Sequence, residues 1–316
     1  MKSGFFSGMF WGLDTFILGL CFLFAPFNSS CDAILCAAYA HDVIAALLLF
    51  MLLIQRKKIR ALPKILMTPS ARLIAAAAVL GGPLGMSGYL LAINNIGAAH
   101  TAIISAFYPA CSTFFAVLIL KESFSFKRGL ALIVALIGVC VVGVSAASAE
   151  VEGSTIIGVG GALLCVFGWG SEAVFLAWGF RNSEELDPAY ALFIREFTSA
   201  CVYTIVVFAF AQAGTFTLQM ISAPATLIVL VAAVFGVCSY LCYYHAIDTI
   251  GAARACALNI SYCAWALIFS SIAAQVFPSI KEILCCVAIF VGTILSATSD
   301  WRALFQLPQN NADKME

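Results

Sequence analysis

Residues 92–99 read A-I-N-N-I-G-A-A and residues 246–253 read A-I-D-T-I-G-A-A, six identities in eight positions at an offset of 154. Text rich in Ala, Ile and Gly matches by chance, so the offset has to hold elsewhere. It pairs Tyr89 with Tyr243, Tyr108 with Tyr262, and His41-Asp42 with Arg195-Glu196. Nearer the start of each half the offset lengthens to 158, where F-W-G-L-D (10–14) meets G-W-G-S-E (168–172). Matches in the same order at four places mark an internal duplication. The repeats are expected at 1–149 and 150–300, followed by a polar tail at 301–316.

Each repeat has the composition of a membrane unit. The 316 residues are 63% hydrophobic and 10% charged, against about 25% charged for a soluble domain. A bilayer-spanning helix needs about 20 apolar residues. Apolar runs of that kind are expected at 5–24, 33–54, 71–93, 99–120, 128–146, 155–178, 189–211, 224–247, 252–274 and 280–299. Five spans per repeat is an odd number, so the second repeat must enter the membrane upside down. The expected fold is an all-α polytopic membrane protein, ten transmembrane helices as two inverted five-helix repeats. Inverted repeats are typical of secondary transporters, with the substrate site near the midplane between them.

Orientation follows from where Lys and Arg fall. The Gln55–Arg72 connection carries Arg56, Lys57, Lys58, Arg60, Lys64 and Arg72, and the next connection on that side carries Lys121, Lys127 and Arg128. The other side shows Asp32, Glu150 and Glu152, with Lys281 as its basic residue. Both termini are therefore expected in the cytoplasm of a bacterial cell, the chain lying in its inner membrane. Net charge is zero, which leaves no basic footprint for nucleic acid. Thirteen cysteines lie almost all inside apolar segments, and no C-x-x-C or zinc-spaced cluster occurs, so they read as small packing residues; Cys31 is the exposed exception expected. The stretch Met1–Phe24 has the look of a signal peptide, but its counterpart in the second half makes it part of the fold, and no cleavage is expected. The sequence calls for no cofactor and no metal, and it contains no nucleotide-binding loop.

Ionisable residues inside the membrane are costly and are functional candidates. Here they are Asp14, His41, Asp42, Glu172, Arg195 and Glu196, on the first two helices of each repeat at equivalent positions. Four carboxylates against one arginine favour a cation. The plainer reading is that some of them pair and pin helices together, Arg195 with Asp42 or Glu196 above all. Glu172 sits three residues after Trp169 on one helix face and is read as a substrate residue; Asp14, His41, Asp42, Arg195 and Glu196 are read as coupling or gating residues. Trp11 and Trp169 are related by the repeat, Tyr240, Tyr243 and Tyr244 share one helix face, and Tyr262 and Trp265 are spaced i, i+3. Such stripes are usually packing, yet these lie toward helix middles. Aromatic faces beside a carboxylate hold quaternary ammonium ions by cation–π attraction. Gly81-Gly82-Pro83 and Gly85 interrupt the third span, as a kink or as a place to flex.

Ten spans in two inverted repeats, with G-A-A-[HR] entering the fourth and ninth, resemble the drug/metabolite transporter superfamily of EamA type. S-G-M-F-W-G (7–12), A-H-D (40–42), G-P-L-G-M (82–86), F-Y-P-A (107–110), W-G-S-E (169–172), I-R (194–195), S-Y-L-C-Y-Y (239–244) and L-N-I-S-Y-C-A-W (258–265) resemble, more closely, bacterial choline permeases of the LicB type. That resemblance runs to about Trp301. It implies a choline site near Trp11, Trp169, Glu172 and the tyrosines of the eighth and ninth spans, Tyr108 included among the candidates. Asp14 and Glu196 depart from the pattern, where uncharged residues are expected. The implied function is import of choline or a related organic cation, with protons as a candidate coupling ion. The alternative is export of amino acids or other metabolites. A membrane enzyme is a third class: G-M-S-G (85–88) matches a serine-protease pattern with His245 or His100 as base, but Ser87 lies in an ordinary repeat helix, and the chain is read as no enzyme. A monovalent cation moving inward gains about 2.3 kcal/mol per 100 mV, and at about 150 mV the resulting ~3.5 kcal/mol sustains several-hundredfold accumulation without further coupling.

Overall fold

The computed structural model describes residues 1–29, 32–146, 153–209, 211–298 and 301. Among these, ten helices are long and apolar enough to cross a bilayer: α1 (Lys2–Cys21), α2 (Ala33–Gln55), α3 (Pro69–Gly97), α4 (His100–Leu120), α5 (Phe126–Val144), α6 (Thr155–Arg181), α7 (Pro188–Ala209), α8 (Thr226–Ile250), α9 (Ala252–Ala274) and α10 (Ile280–Ala297). The described residues contain no strand. Cys31, Glu150, Glu152 and the tail beyond Trp301 lie outside the described residues. The chain is a multi-pass membrane protein. Large apolar side chains face outward along the spans, Leu130, Ile133, Val134 and Ile137 on α5 for example, which only a hydrocarbon surround makes stable.

Polar capping residues mark several helix starts. Thr68 caps α3 through Ala71 N–H, Ser154 caps α6 through Ile157 N–H, and Ser279 with Glu282 forms a capping box on α10. Three elements go beyond the sequence reading, the first a five-residue helix, Leu62–Leu66, in the connection after α2. The connection after α7 holds a helix, Ala211–Ile221, too short to span and packed beside α2 and α7. Within α3 the helix widens to a π-helical turn at Leu80–Leu84, where Pro83 has no N–H to give.

The backbone repeats at the offset of 154 as faithfully as the side chains do. Gly97 and Gly251 both adopt positive φ, +79° and +87°, and both open a helix that enters the G-A-A motif. Lys121 and Gln275 both end their helices in the left-handed region, at φ 56° and 55°. Helices α4 and α9 are each broken once, before Tyr108 and before Tyr262. Packing follows the same rule. Helix α1 lies on α8 and α9, while its counterpart α6 lies on α3 and α4; α2 pairs with α7, and α5 with α10. Exchanging the halves leaves that list unchanged.

Polar contacts sort the connections into two ends of the bundle. Lys58 pairs with Asp187, Lys64 with Glu185, and Glu122 with Arg181 and the start of α9. The connections after α2, α4, α6 and α8 therefore share one end, called here the basic face. At the other end Ser154 N–H donates to Asn95 Oδ1 at 3.0 Å, joining the end of α3 to the connection after α5. Strict alternation of ten spans requires this division.

Candidate functional site

Midway along α1, Trp11 is the hub of an aromatic cluster. Its ring stacks on Tyr262 at 4.8 Å and meets Tyr240 at 6.0 Å, Trp169 at 6.1 Å and Tyr108 at 6.5 Å. Trp169 closes the cluster against Tyr108 at 5.9 Å and Tyr89 at 5.7 Å. Tyr243 and Tyr244 flank Tyr240 on α8 at 6.4 and 5.9 Å. The rings thus come from α1, α3, α4, α6, α8 and α9, three helices of each half. The breaks in α4 and α9 bring Tyr108 and Tyr262 to the first turn of their second segments, so both rings reach the centre. Trp11, Trp169, Tyr240 and Tyr262 are only half-buried despite their mid-helix positions.

Three of the tyrosine hydroxyls are turned to protein partners. Tyr108 donates to Asn259 Oδ1 at 2.7 Å, Tyr244 donates to Glu172 Oε1 at 3.3 Å, and Tyr243 lies 2.9 Å from Cys256 Sγ. At these three positions the cluster presents ring face rather than hydroxyl.

Beside it lies a buried charged layer, built twice. In the first half His41 on α2 stands between Asp14 on α1, at 3.3 Å from Nε2, and its neighbour Asp42, at 3.5 Å from Nδ1. In the second half Arg195 on α7 stands between Glu172 on α6, at 3.3 Å from Nε, and its neighbour Glu196, at 3.0 Å from Nη1. The halves are joined where Arg195 Nη1 lies 3.5 Å from Asp42 Oδ2. Ser199 donates to the same Asp42 oxygen at 2.5 Å, and the guanidinium carbon of Arg195 sits 4.9 Å over the Tyr240 ring. All six ionisable groups are buried. Bare backbone makes room for them. A Cβ on Gly81, in the π-helical turn, would collide with the Glu172 carboxylate, and one on Gly236 would come 2.6 Å from His41 Nε2.

Most residues singled out from the sequence are therefore gathered into two adjoining layers. Trp265 is set apart, packed on Phe5, Phe269 and Phe290 at 5.8, 5.9 and 5.1 Å. Arg195 carries the ion pairs with Asp42 and Glu196 that the plainer reading anticipated, and Glu172, read as a substrate residue, shares the same guanidinium. The sequence reading passed over Tyr89, Asn259, Ser7 and Ser199. Tyr89 was already marked by its pairing with Tyr243. Asn259 is fully buried and links Tyr108 to Ser7, to which its amide donates at 3.0 Å; a single Asn in an apolar run carries no signal of that kind. Chemically, the site offers π faces backed by more carboxylates than bases.

A solved crystal structure of another protein superposes over 93% of this chain and 95% of its own with a TM-score of 0.69 at 15% sequence identity, which establishes a shared fold. Protein LicB of Haemophilus influenzae is 31% identical over 193 residues, a stretch covering 61% of this chain and about 64% of LicB. The EamA-like transporter family matches residues 4–144 and 156–298, once for each half. The chain belongs to the EamA-like transporter family.

Proposed function

We propose that this transporter imports choline or a closely related quaternary-ammonium cation. The observation that carries this reading is the aromatic cluster around Trp11, set one helical turn from a layer with four carboxylates, one guanidinium and one imidazole. A quaternary nitrogen has no N–H, so hydrogen bonds cannot hold it; field and fit remain. Ring faces supply both, at about 2 kcal/mol or more per desolvated contact. The similarity to LicB and the resemblance to choline permeases point the same way. An amino acid would need a base for its carboxylate. Arg195, the one guanidinium in this layer, is already engaged by Asp42, Glu172 and Glu196.

Transport proceeds by alternating access between two inverted five-helix repeats, a reading supported by the recurrence of backbone conformation and packing between the halves. The Lys/Arg asymmetry supports a cytoplasmic basic face, and in that orientation inward movement of a cation runs with the membrane potential. His41, held between two carboxylates, is the place where a co-transported proton would sit.

A thermal-shift series on the purified protein tests the substrate class. Choline is expected to raise the unfolding midpoint in a saturable way, while alanine, threonine and glutamate leave it unchanged. Stabilisation by an amino acid, with none by any quaternary amine, would remove the reading.

A further inference from the structure

A cavity of about 380 Å³ opens at the basic face, away from the aromatic cluster. Glu122, Arg181, Asp248 and Arg254 line its mouth, and Ala177 and Phe180 lie at its inner end. Phe180 is buried and meets Tyr244 edge-on at 6.5 Å, and Tyr244 in turn donates to Glu172. Phe180 and Tyr244 thus stand between this cavity and the charged layer.

One carboxylate ties the mouth together. Glu122 follows the end of α4, in the first half. Its Oε1 accepts from Arg181 Nη2 at 3.0 Å and from Ala252 N–H at 3.1 Å, and its Oε2 accepts from Ala253 N–H at 3.4 Å. Arg181 also donates to Leu120 O at 2.8 Å. The end of α6 and the start of α9, both in the second half, are thereby fastened to the first. The backbone is shaped around this carboxylate: Gly251 has φ +87°, and a Cβ there would come 2.6 Å from Glu122 Oε1. An anion at a helix start is favoured by the free N–H groups and the helix dipole.

The repeat shows that the fold does not require this tie. At the same offsets the other half has Val276 for Glu122 and Leu23 for Arg181. Those two side chains are exposed, at 64% and 68%, although Gly97 reproduces the backbone of Gly251. Identical architecture is built at the opposite end without the charges, so the ionic tie is an addition made at one face only.

We propose that the cavity is the vestibule through which substrate passes between the aromatic cluster and the basic face, that Phe180 is its inner door, and that Glu122 with Arg181 is the latch that keeps its mouth from widening. What passes through it rests on the substrate reading above; the latch and door stand on their own geometry. A cysteine in place of Ala177, which is 2% exposed at the inner end, reports opening. Its modification by a charged thiol reagent is followed peptide by peptide by mass spectrometry in the purified protein. The Ala177→Cys protein is compared with the same protein carrying Glu122→Gln or Arg181→Gln, each checked by thermal unfolding. Losing the charge-assisted bonds is expected to raise the modification rate about tenfold while the protein stays folded. An unchanged rate in both folded variants overturns the proposal, and so does unfolding of both, which would mark the tie as structural. Choline added at saturation is expected to change the labelling rate of the introduced cysteine in either direction. Faster labelling of the variants without any response to choline would keep the latch and remove the substrate reading.

Discussion

At the residue scale the charged layer separates two kinds of dependence. Arg195 is buried and touches three carboxylates; removing it leaves uncompensated buried charge, a loss of about 3–5 kcal/mol. Arg195→Gln is therefore expected to lower the unfolding midpoint far more than Glu172→Gln, because the latter leaves Arg195 with Asp42 and Glu196. Thermal unfolding of the two proteins side by side checks this. On function the order reverses the emphasis. Glu172→Gln is expected to stay folded and lose most choline uptake, with Glu172→Asp intermediate; a well-expressed Glu172→Gln protein with unchanged uptake and affinity would exclude the charge role. For the rings, Trp11→Ala and Trp169→Ala should each weaken choline binding at least about tenfold, following the ~2 kcal/mol of a desolvated cation–π contact, as titration calorimetry would show. The gathering of these residues was legible because the repeat flags them twice, Trp11 with Trp169 and Asp14 with Glu172. Trp265 shows where that reading stops. Its i, i+3 spacing from Tyr262 suggests a common face, but α1 comes so close at Gly12 that a Cβ there would lie 2.5 Å from Trp265 Cβ, and the indole stands among Phe5, Phe269 and Phe290. Asn259 was invisible for the opposite reason: its meaning lies in a hydroxyl 151 residues away.

At the element scale the spans could be read because a bilayer imposes a length, and length with apolar content survives in a single sequence. The helix Ala211–Ile221 escaped because it is too short for that criterion. The π-helical turn of α3 escaped because Gly-Gly-Pro announces only an interruption, not its kind. Its purpose emerges in three dimensions: the turn presents the bare backbone of Gly81 to the Glu172 carboxylate. Gly81→Val is accordingly expected to destabilise by about 1–3 kcal/mol through overpacking. Gly19→Val is the control, since a Cβ at Gly19 meets nothing within 4 Å. Similar unfolding midpoints for the two variants would show that the close approach at Gly81 is unimportant.

For the whole molecule, the connections after α2, α4, α6 and α8 share the basic face, so one topological measurement orients all of them. A single reporter cysteine beside Lys58 is expected to resist an impermeant thiol reagent in intact cells and to react once the cells are opened; labelling in intact cells would invert the topology. The two halves were legible as repeats, but the joint between them was not, because the Asp42–Arg195 contact pairs two positions that no offset relates. The aromatic cluster has one more consequence, and it concerns time. Trp11 and Tyr262 are stacked on each other at 4.8 Å, so a ligand that enters between them must wait for the rings to part. On the proposed substrate site only the parted fraction would be competent to bind, and the observed affinity would be reduced by that fraction. In stopped-flow mixing followed by tryptophan fluorescence, the rate should rise with choline concentration and then level off at the frequency of ring parting, well below a diffusion-limited association. A rate that stays linear to high concentration would mean that the rings already stand open for the cation in solution.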